Sequence, residues 1–482
     1  MNKKMVFNFL GQIVKVSALM LLLPLIVSII YLEWMNVLAF GIAIATALAL
    51  GFSLTILFKP QNKTIYAKEG FVIVALSWIA LSLIGAMPFV ICGDIPNYID
   101  ALFETVSGFT TTGASILQNV ETMSRGMQFW RSFTHWLGGM GVLVFVMALL
   151  PSISDRTIHV MKAEMPGPVV GKLVPKVRQT ARILYLIYIG LTVAETVLLL
   201  CGGMPLFESL VHTFGTAGTG GFSVKASSIG GYSPYLQWVI TIFMLLFGIN
   251  FNIYFLLLIR RFKAAFKSTE LWVYLGIVAV SVGVVCINTY ELFGNFADTL
   301  RHSAFQVASI ITTTGFSTTD FNLWPELSKA ILLTLMFIGA CAGSTGGGLK
   351  VSRVVMLFKM MGRELRKMLH PRAVESVRYE GKRLDEATLH STASYFVIYV
   401  VIYIAVFILL SFDRTYGFVE NFSAAAACYN NIGPGFGAVG PAGNFAAYTG
   451  YSKIVLSFAM LFGRLEIYPL LFAFSPSTWM KK

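Results

Sequence analysis

Four short polar stretches interrupt an apolar chain, and their residue types suit ion coordination rather than bond-making chemistry. They are SGFTTTGAS (107–115), FGTAGTGGFS (214–223), SIITTTGFSTTD (309–320) and NNIGPGFG (430–437). Each centres on a glycine preceded by small hydroxyl, amide or glycine residues. Threonine favours extended backbone, and glycine permits dihedrals that turn successive carbonyls toward one axis. Four such loops around an axis would stack rings of carbonyl oxygens that can replace a cation's hydration shell. Nothing else in the chain suggests a reaction centre. The six histidines (135, 159, 212, 302, 370, 390) form no ligand cluster, and no Ser/His/Asp set or carboxylate pair with a cleft accompanies them. The chain is not expected to be an enzyme or to carry a cofactor. GFGAVG at 435–440 matches a dinucleotide pattern, but no βαβ unit surrounds it, and GSTGGGLK at 343–350 has leucine where a P-loop needs an uninterrupted GK. The five cysteines are far apart without a CxxC pair, which favours core packing over metal or disulfide roles.

The elements that must hold these loops follow from composition. The chain has 482 residues, 56% hydrophobic and 12% charged, with mean hydropathy +0.74. A soluble domain has about 25% charged residues. Apolar runs of about 20 residues cross a bilayer as helices, because backbone groups in lipid must satisfy one another. Such runs predict ten spans, near 10–31, 37–58, 70–92, 132–150, 183–202, 235–259, 271–290, 330–358, 392–412 and 453–474. The start, MNKKMVFNFLGQ, has the charge of a signal peptide but no small-residue cleavage site, so it reads as a retained first helix.

The net charge of +13 is unevenly spread. Basic residues gather in alternate loops: Lys3 and Lys4; Lys59, Lys63 and Lys68; Arg156 to Arg182; Arg260 to Lys267; and the densest run, Lys350 to Arg383. The intervening loops carry Asp94, Asp100, Glu104, Glu208, Asp298, Asp320 and Glu420. The positive-inside rule then puts both termini in the cytoplasm and all four polar stretches on the outer side. Basic loops facing the anionic lipid of the bilayer explain the charge better than nucleic-acid binding.

Taking Gly113, Gly221, Gly315 and Gly433 as anchors, the separations are 108, 94 and 118 residues. Three of the four stretches carry an acid 13 residues before the glycine (Asp100, Glu208, Glu420); the third has His302 there and Asp298 earlier. An acid near the start of a short helix suits its N-terminus. The predicted fold is therefore an all-α polytopic membrane protein with four pseudo-symmetric repeats of span, re-entrant half-helix, extended loop and span. Two N-terminal helices (1–68) precede repeats at 69–155, 156–262, 263–386 and 387–482.

The motifs TTTGAS, GTGGFS, TTTGFS and NNIGPG, in that order between paired spans, resemble the filters of the Trk/Ktr/HKT potassium-transporter family. The resemblance covers the whole chain, and the two extra N-terminal spans resemble its TrkH branch. It implies K⁺ as the transported ion, with glycine in all four filters favouring K⁺ over Na⁺. It implies ion-coordinating carbonyls on Thr111 and Thr112, Thr219 and Gly220, Thr313 and Thr314, and Asn431 and Ile432, beside filter glycines Gly113, Gly221, Gly315 and Gly433. The fourth loop departs from the pattern with Asn-Ile and Pro434, so the site should be only pseudo-fourfold. The resemblance also implies a homodimer and a cytoplasmic TrkA-type nucleotide-binding regulatory subunit, for which the basic 350–386 face is a candidate dock.

Two further features lie within predicted spans. Gly339, Gly343, Gly346, Gly347 and Gly348, with Ser344 and Thr345, cannot easily hold a helix at about 1 kcal/mol per glycine. A break there predicts an intramembrane loop lining the path, or a plain kink for packing; the family has a gating loop at the matching segment. Arg464 lies mid-span, where it costs roughly 2.5–3.5 kcal/mol and must face a cavity or a partner. The family places a pore-facing arginine in this last span, with Lys350 in support; pairing with Glu466 is the competing reading. Glu195, also mid-span, is expected to form an interhelical hydrogen bond. Two functional alternatives stay open: a Na⁺- or H⁺-coupled symporter of the same fold, and a non-conducting receptor or scaffold.

Overall fold

The computed structural model describes residues 1–61, 66–141, 177–372 and 375–480, and these are almost entirely helical. In chain order the helices are α1 (Lys3–Met20), α2 (Leu22–Ile30), α3 (Trp34–Leu57), α4 (Ala67–Cys92), α5 (Tyr98–Phe109), α6 (Arg125–Gly139), α7 (Val177–Cys201), α8 (Leu206–Gly218), α9 (Pro234–Phe247) and α10 (Phe251–Leu258). They continue as α11 (Phe262–Ala265), α12 (Thr269–Phe293), α13 (Phe296–Ile311), α14 (Glu326–Ile338), α15 (Val351–Leu369), α16 (Glu386–Leu410), α17 (Phe418–Tyr429), α18 (Gly450–Arg464), α19 (Tyr468–Phe474) and α20 (Pro476–Trp479). Among the described residues the only strands are β1 (Arg378–Tyr379) and β2 (Lys382–Arg383), a small antiparallel hairpin inside the basic run.

Burial is inverted relative to a water-soluble protein. Ile56, Ile287 and Val401 lie on helix faces that are 62%, 81% and 59% exposed, whereas Thr111, Thr219, Thr313 and Asn431 are fully buried. Lipid tails accept the apolar faces at no cost, and the polar residues gather where protein replaces lipid. Among the described residues six helices are long and apolar enough to cross a bilayer unbroken: Lys3–Ile30 (α1 and α2 together), α3, α4, α7 from Ala181, α12 and α16.

The remaining expected spans are interrupted. The span predicted at 330–358 is divided into α14 and α15 by the glycine-rich segment, as its composition suggests. The one at 235–259 bends by 90° between α9 and α10, which the sequence reading missed. Its signal is FGIN at 247–250, where Asn250 caps α10 by accepting a hydrogen bond from the Asn252 N–H at 3.0 Å. The span at 453–474 breaks after Arg464, with Glu466 and Ile467 at φ of +53° and +69°. Arg464 therefore ends a helix rather than sitting in the middle of one. Of the span predicted at 132–150, residues 142–150 lie outside the described residues, as do Lys63, Arg156, Lys162, Lys172, Lys176 and the 155/156 repeat boundary.

Short polar ties fasten the helices to one another. Glu33, just before α3, accepts hydrogen bonds from the Arg125 and Gly126 N–H groups at 2.7 and 2.8 Å, placing a carboxylate on the positive N-terminus of α6. Asp413, following α16, does the same for α18: its Oδ2 accepts from Thr449 N at 3.0 Å, Thr449 Oγ1 at 2.8 Å and Ser452 Oγ at 2.7 Å. Burial pushes the Asp413 carboxyl up, but hydrogen bonds from Thr415, Ser452 and Thr449 outweigh it and hold the group below the usual carboxylate range.

Because that pKa is lower in the folded state, the Asp413 contribution is complete above the unfolded value of 3.8 and is lost as pH falls through the folded value. Asp413→Ala should lower stability by about 1–2 kcal/mol at pH 7, seen as a reduced thermal midpoint of the detergent-solubilised protein. The gap between wild type and variant should persist at pH 5.

Candidate ion-binding site

Each polar loop follows a half-helix with an acid in its first turn: Asp100 in α5, Glu208 in α8, Asp298 in α13 and Glu420 in α17. The third half-helix is longer than the others, which is why its acid departs from the 13-residue offset. All four end with the same backbone manoeuvre. Thr111, Thr219, Thr313 and Asn431 adopt left-handed φ of 55°, 56°, 59° and 56°. Their N–H groups bond three residues back, to Gly108, Thr216, Ile310 and Cys428, at 3.0–3.2 Å. The next N–H in each loop (Thr112, Gly220, Thr314, Ile432) bonds five residues back, at 2.8–2.9 Å. This is a Schellman cap, normally built on glycine. Threonine in this region costs roughly 1–2 kcal/mol, so the hydroxyl or amide must be needed.

Three of these side chains show their use. Thr313 Oγ1 accepts the Gly347 N–H at 2.6 Å. Asn431 Nδ2 donates to Thr112 Oγ1 at 3.0 Å and to the Met460 carbonyl at 2.9 Å. Thr219 Oγ1 donates to the Gly218 carbonyl at 2.6 Å. Thr111 Oγ1 is buried without a protein partner.

The glycines that follow close the ring. Gly113, Gly221, Gly315 and Gly433 have φ of 81°, 78°, 82° and 100°. A Cβ on Gly113 would collide with the Gly220 carbonyl oxygen, one on Gly221 with that of Thr314, and one on Gly315 with that of Ile432. A Cβ on Gly433 would stand 2.7 Å from that of Thr112, so the circuit returns to the first loop. The four loops thus encircle one axis in chain order. Among the hydrogen bonds of the described residues, none ends on the carbonyl oxygens of Thr111, Thr112, Thr219, Gly220, Thr313, Thr314, Asn431 or Ile432. Buried carbonyls without donors are rare in proteins, and eight together describe an oxygen cage suited to a cation. The half-helix C-termini add negative potential. No loop contributes an ionisable side chain at these positions.

The two ends of the ring differ. On one side a vestibule of about 130 Å³ is lined by residues of all four loops, including Gly113, Gly221, Gly315 and Gly433. On the other lies the 339–350 segment, pressed against the half-helix ends. A Cβ on Gly346 would stand 2.9 Å from the Thr312 carbonyl oxygen, and one on Gly347 would overlap that of Asn430. Gly339, Gly343, Gly348 and Lys350 take positive φ of 76°, 70°, 74° and 78°.

The segment is braced from several directions. Cys341 N donates to the Gly248 carbonyl at 3.1 Å and Phe251 N to that of Gly343 at 3.0 Å, so the bend between α9 and α10 receives the loop. Glu270 Oε1 accepts from Ala342 N at 2.6 Å and Ser352 N at 3.1 Å. Lys350 Nζ caps the Gly346 and Gly347 carbonyls. Arg464 donates to the Thr345 carbonyl at 2.8 Å and to the Gly138 and Gly139 carbonyls, fastening the loop to α6. Glu466 pairs with Arg353, not Arg464, and the Arg353 guanidinium lies 3.9 Å from the Tyr395 ring centroid. Glu270, Arg353, Asn250 and Gly248 are thus functional neighbours that the sequence reading missed.

Glu195 is expected to form an interhelical hydrogen bond, and the side chain it faces is the Thr216 hydroxyl of the neighbouring α8. The Glu195 side chain is fully buried, and the Thr216 hydroxyl beside it also donates to its own helix at the His212 carbonyl, 3.0 Å away.

Comparison with known proteins adds to this geometry. A family model described as TrkH, cation transport protein, matches residues 36–481. The Trk system potassium uptake protein TrkH of Salmonella typhimurium is 37% identical over 493 residues, covering 99% of this chain and 100% of that protein. The Trk system potassium uptake protein TrkG of Escherichia coli K12 is 35% identical, covering 99% and 98%. The crystal structure of the potassium transporter TrkH from Vibrio parahaemolyticus superposes with a TM-score of 0.88 at 31% identity, covering all of both chains.

The ring geometry makes Gly221→Ala a severe change for one methyl group. Left-handed strain plus overlap with the Thr314 carbonyl should cost roughly 2–4 kcal/mol and lower the thermal midpoint accordingly. Thr219→Gly, which relieves strain and gives up only a local hydroxyl contact, should leave the midpoint unchanged or raise it.

Proposed function

The chain belongs to the TrkH family of cation transport proteins, and on that premise we propose that it takes up K⁺ across a bacterial inner membrane through a channel-like filter. The observation that carries this reading is the closed ring of eight buried carbonyls without protein donors. K⁺ exchanges its water for carbonyl oxygens there, and the filter glycines Gly113, Gly221, Gly315 and Gly433 keep the loops close enough to form the cage. The ring is pseudo-fourfold, since Asn431 and Ile432 replace the residue types of the other loops.

The 339–350 segment is the gate. Gly343, Gly346, Gly347 and Gly348 let it lie flat beneath the filter, and Lys350 and Arg464 hold it there while presenting positive charge to an ion leaving the ring. Displacing the segment requires that its hydrogen bonds to carbonyls, to the Glu270 carboxylate and to the Thr313 hydroxyl be exchanged for water. The charge pattern supports a vestibule facing outward and both termini in the cytoplasm. Inward movement is then favoured by about 2.3 kcal/mol per 100 mV of inside-negative potential. The four repeats at 69–155, 156–262, 263–386 and 387–482 each supply one loop, with 1–68 as an added pair of helices. The basic face around 350–386 suits a cytoplasmic nucleotide-binding regulator of TrkA type, and the assembly is a homodimer. The chemistry is transport, and the family is not an enzyme class.

A Na⁺- or H⁺-coupled symporter is the second reading. It is disfavoured because none of the eight ring positions carries a titratable side chain; the His135 ring packed on Gly220 is held by the Gly108 carbonyl, and Lys350 and Arg464 bind the segment beneath.

Isotope flux into liposomes containing the purified chain tests both. An inside-negative potential alone should drive K⁺ entry in preference to Na⁺, and Gly113→Ser should erase the preference; a strict need for a Na⁺ or H⁺ gradient would support the symporter. Arg464→Ala should raise K⁺ flux about tenfold, the equivalent of removing roughly 1.4 kcal/mol of barrier.

A further inference from the structure

The four seams between neighbouring loops are not alike. The second and third loops are joined by Ile229 N donating to the Ser317 carbonyl at 2.9 Å. The third and fourth meet where Gly437 N donates to Asn322 Oδ1 at 2.9 Å. The fourth and first meet where Phe445 N donates to the Ser115 carbonyl at 2.8 Å. These ties are neutral. Among the described residues no backbone–backbone hydrogen bond joins the first loop to the second; besides a rim contact between Ala226 N and Glu121, and the His135 ring that bonds the Gly108 carbonyl and lies 4.1 Å from the Phe222 ring, that seam carries a buried ion pair.

The pair is Arg131 of α6 and Glu104 of α5, with Nε–Oε1 at 2.5 Å and side chains 4% and 0% exposed. Glu104 also accepts from Ser115 Oγ and Ile116 N, both at 3.0 Å, so it holds the returning limb of the first loop. Arg131 donates to the Ser223 carbonyl at 3.2 Å and lies 3.5 Å from the Phe222 ring centroid, so it holds the returning limb of the second. Arg131 also lines the vestibule.

The position is structured by the repeat. Glu104 stands nine residues before its filter glycine, and the equivalents are His212, Gln306 and Ala424. His212 Nε2 reaches Ser223 Oγ at 3.0 Å, matching the Glu104–Ser115 contact, with both serines two residues after their glycines. Gln306 is buried with its amide atoms unpartnered, and alanine can make no such bond. Only the first repeat puts a charge here, and only there does a guanidinium at the mouth require one. A bare cation beside the vestibule would repel the ion to be transported, so the pair does two things at once. It neutralises Arg131 and sets the spacing of the first two filter limbs.

We propose that Glu104 and Arg131 are positioning residues for ion selection, with Glu104 screening the guanidinium and the pair as a unit fixing the first–second seam of the ring. The proposal rests on the filter reading above. K⁺ and Na⁺ influx into liposomes at low and high salt tests it, with Gly113→Ser as control. Glu104→Gln should reduce K⁺ influx about tenfold at low ionic strength, as a local potential of a few kT would. The deficit should shrink at high salt, where ions entering the vestibule that Arg131 lines screen its charge. Combining Glu104→Gln with Arg131→Met should restore influx and still leave K⁺/Na⁺ discrimination below wild type, because the seam stays unfastened. Arg131→Lys keeps the charge but loses the planar fork and the stacking, and should lower discrimination with little change in influx; it carries the test if Glu104→Gln does not yield monodisperse protein.

Influx and discrimination within twofold of wild type in Glu104→Gln, or equal loss in the single and double variants, would overturn the proposal while Gly113→Ser still loses selectivity. Full selectivity in Gly113→Ser would instead remove the filter reading, and this proposal with it.

Discussion

The structure depends on one constraint: inside a bilayer, backbone carbonyls without a donor are tolerated only if something other than lipid meets them. Eight such carbonyls surround one axis, and the rest of the fold keeps them open. Long apolar helices carry the loops to membrane depth. Half-helices deliver the carbonyls at their C-termini, where the helix dipole already favours a cation. The Schellman caps then turn each chain sharply enough that the next carbonyls face a neighbouring loop rather than their own helix. At one of the strained threonines the hydroxyl also ties the ring to its surroundings: Thr313 accepts a hydrogen bond from the loop beneath.

The 339–350 segment obeys the same constraint by different means. Its backbone is not helical, so its polar groups must be satisfied locally, and they are met from four sides: the α9–α10 bend, Glu270, Lys350 and Arg464. Most of these ties join a side chain to a main-chain group. Such contacts are individually modest, on the order of 1 kcal/mol, so the segment is held firmly as a set and weakly at any one point. Both cations that hold it, Lys350 and Arg464, donate to carbonyls of the segment.

Much of this was legible in the sequence because lipid simplifies the reading. Apolar run lengths disclosed the long helices, and the spacing of Gly113, Gly221, Gly315 and Gly433 disclosed a fourfold plan. The glycine cluster between Gly339 and Gly348 announced a break, since no helix holds so many. What stayed hidden were features set by tertiary contacts. The bend at 248–250 contains one glycine and an asparagine, a composition that an unbroken helix also tolerates. The break after Arg464 has no glycine or proline at Glu466 or Ile467, whose left-handed φ values are imposed by surroundings. Glu466 therefore reaches Arg353, a partner 113 residues away in sequence, which local spacing could not reveal. Glu195 was expected to meet a partner across helices because a buried acid usually does, but nothing in local spacing could name Thr216 of α8 as the residue it faces.

The seam between the fourth and first loops has a consequence for biogenesis. Asn431 meets Thr112 across 319 residues of chain, and Gly433 packs on the same threonine's carbonyl. Loops one to three can each be inserted as local hairpins as the chain emerges, but an open arc of three encloses no axis. The cage comes into being only when the last repeat is threaded and returns to the first, a long-range closure of the kind that slows assembly. A nascent chain stalled before the fourth loop would carry the first three loops and still lack a closed ring of carbonyls.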